Sequence, residues 1–331
     1  MKLNEPLSDN QEPDHFRETA TEADPLEADP LWLQVRQRSL QALECGALQP
    51  IPTHYEFVEQ NGITFLVRIL SNLKLKEQAR KQQQALQAAG KDFNPFLPYE
   101  EDLFVTHLSS THVCLLNKFN VVDHHVLIVT REFEHQNTWL KHQDFFALWQ
   151  GLRQIDGLAF YNGGTIAGAS QQHKHLQLVP LPVVPGEQAI PVETVLPLSS
   201  PSSTAEKGNL PFYHGLRTFN LAPHLTPQIA ATSLLNHYWD LLNELGLQHQ
   251  GEGDRHTHPY NLLVTRRWML LVPRSQEKAY NISINALGFA GSLFVKNMAQ
   301  LDILKNHGPM ALLQSVTYPQ EPPFLLSNPL A

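Results

Sequence analysis

The stretch NGGTIAGASQQHKHLQLVP, residues 162–180, constrains the fold more than any other part of the chain. Its glycine-rich first half, GGTIAGAS, has to be a turn that exposes backbone, and its second half is a short β-prone run. In a strand, successive side chains point to opposite faces, so His173, His175 and Gln177 share one face while Lys174 and Leu176 share the other. LAFYN, just upstream, also reads as a strand. The chain must therefore build a sheet that carries a His-x-His-x-Gln row on one face, entered from a flexible loop.

The rest of the sequence supplies that sheet. LWLQVRQRSLQALE (31–44) predicts an amphipathic helix, and HYEFVEQNGITFLVRIL (54–70) predicts a hairpin turning at Asn61-Gly62. A Gln- and Lys-rich helical segment is expected through Lys91, followed by strands in LFVTHL, HVCLLNKF and HVLIVTR. Phe145, Leu148, Trp149, Leu152 and Ile155 fall at helical spacing, and the helix is expected to end near Gly157. Residues 183–209, rich in Pro and Ser, read as a linker or long surface loop. A helix over QIAATSLLNHYWDLLNELG and a hairpin, YNLLVTRRWMLLVP, follow. The expected organisation is an acidic disordered tail (1–30), a catalytic domain (31–182), the linker (183–209) and a second domain (210–331) that completes the site.

Composition narrows the partners. The 331 residues are 42% hydrophobic and carry a formal net charge of −8, which suits a packed core and gives no overall basic field for nucleic acid. Only Cys45 and Cys114 are present, too few for a disulfide framework or a four-cysteine zinc site, and this points to a reducing, cytoplasmic compartment. The first thirty residues have no apolar h-region, and no later run reaches ~18 apolar residues, so no membrane span is expected.

Two echoes suggest a diverged duplication. LIVTR (127–131) recurs as LLVTR (262–266), and Asn162 precedes Ala167-Gly168 by the interval at which Asn285 precedes Ala290-Gly291. Laid on one another through the Ala-Gly pairs, Lys296 falls on His173 and Met298 on His175. Chance similarity is an equal competitor. The basic Thr-Arg stretches after the echoes are expected on the surface.

The row suits phosphoryl or nucleotidyl transfer. An imidazole whose one nitrogen donates a proton to a fixed acceptor keeps the other lone pair for attack on phosphorus. A glutamine two residues on can hold a phosphoryl oxygen without offering an acidic proton. Gly168, Ser170 and Gln171 can present N–H groups and a hydroxyl to phosphate oxygens. Ordinary hydrogen-bonded histidines are the plain alternative. A metal site is another, with His107, His112, His124 or His125 as a third ligand, although no Asp, Glu or Cys pair lies near the row. A Ser or Cys hydrolase lacks a nucleophile elbow.

Together with NPFLPYEEDLFV, LLNKFNVVDHHVLIVTREF and NALGFAGSLFVK, the histidine segment resembles ATP adenylyltransferase, also called diadenosine tetraphosphate phosphorylase. This is a glutamine-type branch of the histidine-triad superfamily, and the likeness spans roughly residues 50–300. It implies an α+β fold, a mostly antiparallel histidine-triad-like sheet with flanking helices in two related halves. It also implies phosphorolysis of diadenosine tetraphosphate to ATP and ADP, and the reverse, through an adenylyl-histidine. His175 would be the nucleophile, His173 its orienting neighbour and Gln177 the partner of the transferred phosphate. Asn162, Gly168, Ala169, Ser170 and Gln171 would hold the polyphosphate, Lys76 or Lys74 would add charge, and Asn94-Pro95 would line the nucleotide pocket. Asn285, Ala286, Leu287, Ser292 and Lys296 match the remaining substrate-binding stretch, with Ser292 departing from the larger apolar residue expected there. Mg²⁺ is expected with the nucleotide and no structural metal; the partners are small molecules, and a monomer is favoured. Two rivals stay open, a hexose-1-phosphate uridylyltransferase or nucleotide-sugar phosphorylase, and a non-catalytic or metal-dependent nucleotide-binding protein.

Overall fold

A computed structural model describes residues 30–70, 94–185, 189–198, 209–247 and 253–319. The predicted acidic tail up to residue 29, the Gln- and Lys-rich segment, and with it Lys74 and Lys76, lie outside the described residues.

Helix α1 (Pro30–Glu44) buries Leu31, Val35, Ser39 and Ala42, whose three- and four-residue spacing makes one face. The hairpin β1 (Thr53–Gln60) and β2 (Ile63–Leu70) turns through Asn61 and Gly62, both at positive φ (53° and 77°), as a two-residue turn matched to strand twist requires. A second, larger sheet holds β3 (Phe104–His107), β4 (His112–Leu116), β5 (Val126–Thr130), β6 (Gly157–Gly163), β7 (His175–Pro180), β8 (Gly215–Thr218), β9 (Tyr260–Val264) and β10 (Trp268–Pro273). Its order is β3-β4-β5-β7-β6-β9-β10-β8, and every pairing is antiparallel. The β6–β9 pair joins the first half of the chain to the second within one sheet.

Alternation along the strands divides the sheet between two cores. Ile128, Ala159, Leu176, Leu178, Leu262 and Met269 face α1, α2 (His142–Leu152) and α3 (Pro227–Glu244). Leu158, Phe160, Val179, Leu263 and Leu270 face the opposite layer, made of β2 with β11 (Ser292–Val295) paired parallel to it, α4 (Ala286–Ala290), α5 (Met298–His307) and α6 (Pro309–Ser315). A small satellite cluster on this side gathers Phe96, Val113, Leu115, Leu127 and Val129. The fold is thus α+β with one large antiparallel sheet and flanking helices.

Several expectations need correction. Helix α2 stops at Leu152, and Gly157 opens β6 instead, where a Cβ would stand 2.7 Å from the Val179 carbonyl oxygen. The 183–209 segment is no surface loop over its described part, since Val183, Val184, Ile190, Val192 and Leu196 are buried against the second-half layer. The duplication register also ends early. Gly168 and Gly291 do close similar short helical turns, at φ 91° and 99°. Beyond them the copies part, because His175 begins a strand whereas Met298 begins a helix capped by Asn297, whose side chain accepts from the Gln300 N–H.

Candidate active site

β7 lies between β5 and β6, with His175 opposite Val129, and Gln177 opposite Leu127 on one side and Phe160 on the other. Leu127 and Val129 belong to the satellite cluster and Phe160 to the second-half core, so the row lines the seam between two apolar clusters. His173 precedes the β7 ladder and is tied by an isolated bridge to His135.

The nucleophile candidate is fixed from three directions. The His175 Nδ1–H donates to the His173 carbonyl at 2.8 Å, while Nε2 has no partner among the described residues. The Gln136 side chain completes the grip: its Oε1 accepts from the His175 N–H at 2.9 Å, and its amide N–H₂ donates to the Asn162 carbonyl at 2.9 Å and the His175 carbonyl at 3.2 Å. The β6–β7 ladder stops at Phe160–Gln177, and two further residues in the same register would place Asn162 opposite His175. Gln136 therefore supplies by side chain the bonds that the splayed ladder lacks. Burial holds the His175 imidazole down at about 4, so it is neutral at neutral pH with its lone pair on Nε2.

His173 is also buried, and burial lowers its pKa. Its Nε2–H donates to the carbonyls of Thr130 (2.8 Å) and Glu132 (3.1 Å), which leaves Nδ1 to accept from the Asn94 amide at 2.9 Å. Phe96 packs on both imidazoles, with ring centroids 5.6 and 5.4 Å away, and Phe133 packs on His173 at 5.4 Å. The segment after Thr130 is at the surface as expected, with Arg131, Glu132 and Phe133 exposed, and it borders His173 through the Phe133 ring and the Glu132 carbonyl. At Gln177, Oε1 accepts from His125 Nε2 at 3.0 Å, and the Asn117 amide meets His125 Nδ1 at 3.2 Å.

The phosphate-loop candidates are held by the second half of the chain. Asn162 Oδ1 accepts from the Asn261 amide (2.8 Å) and the Ala286 N–H (3.0 Å), and the same Asn261 amide reaches the Ala167 carbonyl at 2.8 Å. Asn261 Oδ1 in turn accepts from the buried Arg274, which also donates to the carbonyls of Ile284, Val316, Gln276 and Glu277. Gly168 lies so close to the second half that a Cβ would stand 2.9 Å from the Ile284 oxygen and 3.1 Å from Asn285 Cα. Asn162, Gly168, Asn285 and Ala286 are therefore one cluster. Ala169 is buried and Ser170 exposed, while Gln171, Asn94, Pro95 and Asn285 are half-buried. Leu287 is in the core, Ser292 is fully buried opposite Leu66, and Lys296 is exposed. Among the described residues, no hydrogen bond or ion pair links Ser292 or Lys296 to the histidine row.

Behind the row the chemistry changes. Lys174 is fully buried; its ammonium donates to Asp144 at 2.7 Å, to the Trp139 carbonyl at 3.1 Å and to Glu134 at 3.3 Å. Asp144 also binds His112 at 3.1 Å and accepts from the Lys141 N–H at 2.6 Å at the start of α2. His112 is thereby committed to the far face, His124 contacts Ser39 and Trp32, and His125 bonds Gln177. Among the described residues no three His, Cys, Asp or Glu side chains are grouped to hold a metal. Sequence reasoning missed Gln136, Asn261 and Arg274, which sit in no local motif, and it valued His125 only as a possible ligand.

A buried neutral imidazole with one fixed and one open nitrogen, beside an amide and a backbone-rich turn, has the chemistry that nucleotidyl transfer through a histidine requires. The family comparisons agree over nearly the whole described chain. Residues 21–198 match the Ap4A phosphorylase N-terminal domain and residues 208–319 the ATP adenylyltransferase C-terminal domain, so the chain belongs to the ATP adenylyltransferase/Ap4A phosphorylase family. Diadenosine 5',5'''-P1,P4-tetraphosphate phosphorylase 2 of Saccharomyces cerevisiae is 30% identical over 272 residues, covering 74% of this chain and 80% of that protein. Crystal structures of yeast Ap4A phosphorylase Apa2 share the fold. The complex with Ap4A has a TM-score of 0.71 at 24% identity, and the complex with AMP 0.69 at 25%; each match covers 88% of this chain and 98% of the other.

Proposed function

We propose that the chain phosphorolyses diadenosine tetraphosphate to ATP and ADP, and runs the reverse reaction, by double displacement at His175. The observation that carries this reading is the pinned Nδ1–H of His175 beside its unpartnered Nε2. Nε2 attacks the α-phosphorus, a P–N bond forms, and the P–O bond to the ATP leaving group breaks. An oxygen of inorganic phosphate then attacks the same phosphorus, the P–N bond breaks, and ADP is released. Each displacement depends on positioning and charge stabilisation more than on covalent help from the protein.

In this reading His173 orients the nucleophile through its carbonyl, and Gln177 holds a non-bridging oxygen of the transferred phosphoryl. Asn162 with residues 168–171 cradles the polyphosphate, joined by Asn285 and Ala286 from the second half, while Leu287 and Ser292, which are buried, support that stretch from the core. Lys296 and Lys76, or Lys74, supply charge, Asn94-Pro95 borders the nucleotide, and Mg²⁺ arrives as part of the substrate. The negative net charge supports a small-molecule substrate over nucleic acid. No helix among the described residues is long and apolar enough to cross a membrane. We take the working form to be a cytoplasmic monomer. The test is product analysis from diadenosine tetraphosphate with and without phosphate. Equimolar ATP and ADP that require phosphate, with a trapped adenylyl-enzyme, are expected; preference for a nucleotide sugar overturns the substrate.

A further inference from the structure

We infer that His125 is the specificity-setting residue of the acceptor step: it fixes which end of the Gln177 amide faces the adenylyl group, and Asn117 fixes His125. The inference rests on the reading of Gln177 given above. A glutamine amide has a donor end and an acceptor end of nearly the same shape, and the two have opposite effects on a phosphoryl oxygen. With the N–H₂ turned inward the amide binds that oxygen; with the carbonyl inward it repels it. Gln177 cannot choose by itself, so a neighbour has to.

The choice is made by a row of three side chains, Asn117 just after β4, His125 just before β5 and Gln177 on β7. Asn117 follows β4 and lies across from His125, its backbone N–H donating to the His125 carbonyl at 2.9 Å. Its side-chain amide donates to His125 Nδ1 at 3.2 Å, which places the imidazole proton on Nε2. That Nε2–H donates to Gln177 Oε1 at 3.0 Å. The Gln177 oxygen is thus engaged at the sheet, and its N–H₂, which has no partner among the described residues, is the end left for a ligand. The His125 ring is buried and packs against Phe160, 5.8 Å between centroids, so it cannot swing away to release the amide. His125 touches no reacting atom in this scheme; it is a positioning residue.

The consequence is a preference between acceptors. With the donor end inward, the adenylyl group is held for phosphate; with a rotating amide it is held less firmly, and water competes. His125→Phe keeps an aromatic ring against Phe160 and removes the donor. It should lower phosphorolytic kcat about ten-fold, equivalent to 1.4 kcal/mol, raise the AMP share of product severalfold at fixed phosphate, and leave AMP affinity within about threefold. His125→Gln, whose amide can donate to the same oxygen, should recover most of both. In wild-type protein with labelled glutamine side chains, AMP should shift the Gln177 N–H₂ resonances. The relay is overturned if His125→Phe keeps the wild-type product split, if His125→Gln fails to differ from His125→Phe, or if AMP leaves those resonances in place. Gln177→Ala separates the two layers of the argument. If it leaves the product split unchanged, the reading of Gln177 itself fails. If it raises the AMP share while His125→Phe does not, only the relay fails.

Discussion

Replacing Asp144 with asparagine strips the buried partner from Lys174, and the structure sets the size of the loss. The Lys174 side chain is fully buried and that of Asp144 is 2% exposed, so neither charge is relieved by water. Breaking such a pair from one side costs about 3–5 kcal/mol. The lower end applies here, because the Trp139 carbonyl and Glu134 still reach the ammonium and an asparagine oxygen can still serve the Lys141 N–H. A loss of about 3 kcal/mol lowers the melting temperature by about 4 °C in a chain of this size, at roughly 2.1 cal/mol/K of unfolding entropy per residue. Denaturant unfolding and thermal melts measure both. Adding Lys174→Met to Asp144→Asn removes the stranded charge and should return at least half of the loss. The sign with pH is also fixed. His112 and Lys174 hold the Asp144 carboxyl below its ordinary value against the opposing effect of burial. Its stabilisation is complete above the unfolded carboxylate pKa and is lost as pH falls through the lowered folded value. Asp144→Asn should therefore lose less stability than wild type between neutral pH and strong acid. A variant within 1 kcal/mol of wild type, or a double variant no better than the single, refutes the argument.

Further outcomes concern the site. His175→Ala should cost several orders of magnitude in kcat with AMP binding retained, checked by turnover and titration. Because burial keeps His175 neutral down to about 4, the acid limb of kcat/KM attributable to the nucleophile should fall near that pH and not near 6.5; a limb at 6.5 assigns it to another group. Gln177→His should slow phosphorolysis and raise the AMP share, since an imidazole can assist water; slower turnover with an unchanged share reduces Gln177 to positioning. Gly168→Ala combines a φ of 91° with a Cβ 2.9 Å from the Ile284 oxygen. It should push the loop off the second half, raise KM for the dinucleotide about ten-fold and cost roughly 1–3 kcal/mol. Unchanged KM separates the loop from the substrate.

What could be read from the sequence follows the range of the forces involved. Period-two alternation located β7, period 3.6 located α1 and α2, and Asn61-Gly62 located the hairpin, because each signal lies within a few neighbouring residues. The His-x-His-x-Gln row was legible for the same reason. Gln136 clamps a residue 39 positions away, and Asn261 reaches Asn162 across 99, so neither leaves a local trace. The misplaced second copy was a different failure. Asn297 followed three residues later by Gln300 is a helix-start signature, and it conflicted with a strand in the register of His175.

The large sheet also acts as an insulator. On its α2 side lie Lys174, Asp144 and Glu134, full charges whose balance shifts with acid. On its cleft side the row is bordered, beside His125, by Asn94, Gln136, Asn162 and Asn261, amides whose hydrogen-bond directions no proton can reverse between mild acid and mild base. A polyphosphate entering that cleft meets no carboxylate among these groups, so it pays no repulsion there despite the chain's net charge of −8. Acid should then reach this protein from behind: the scaffold loosens at the charged face while the cleft, one strand-thickness away, still keeps its geometry.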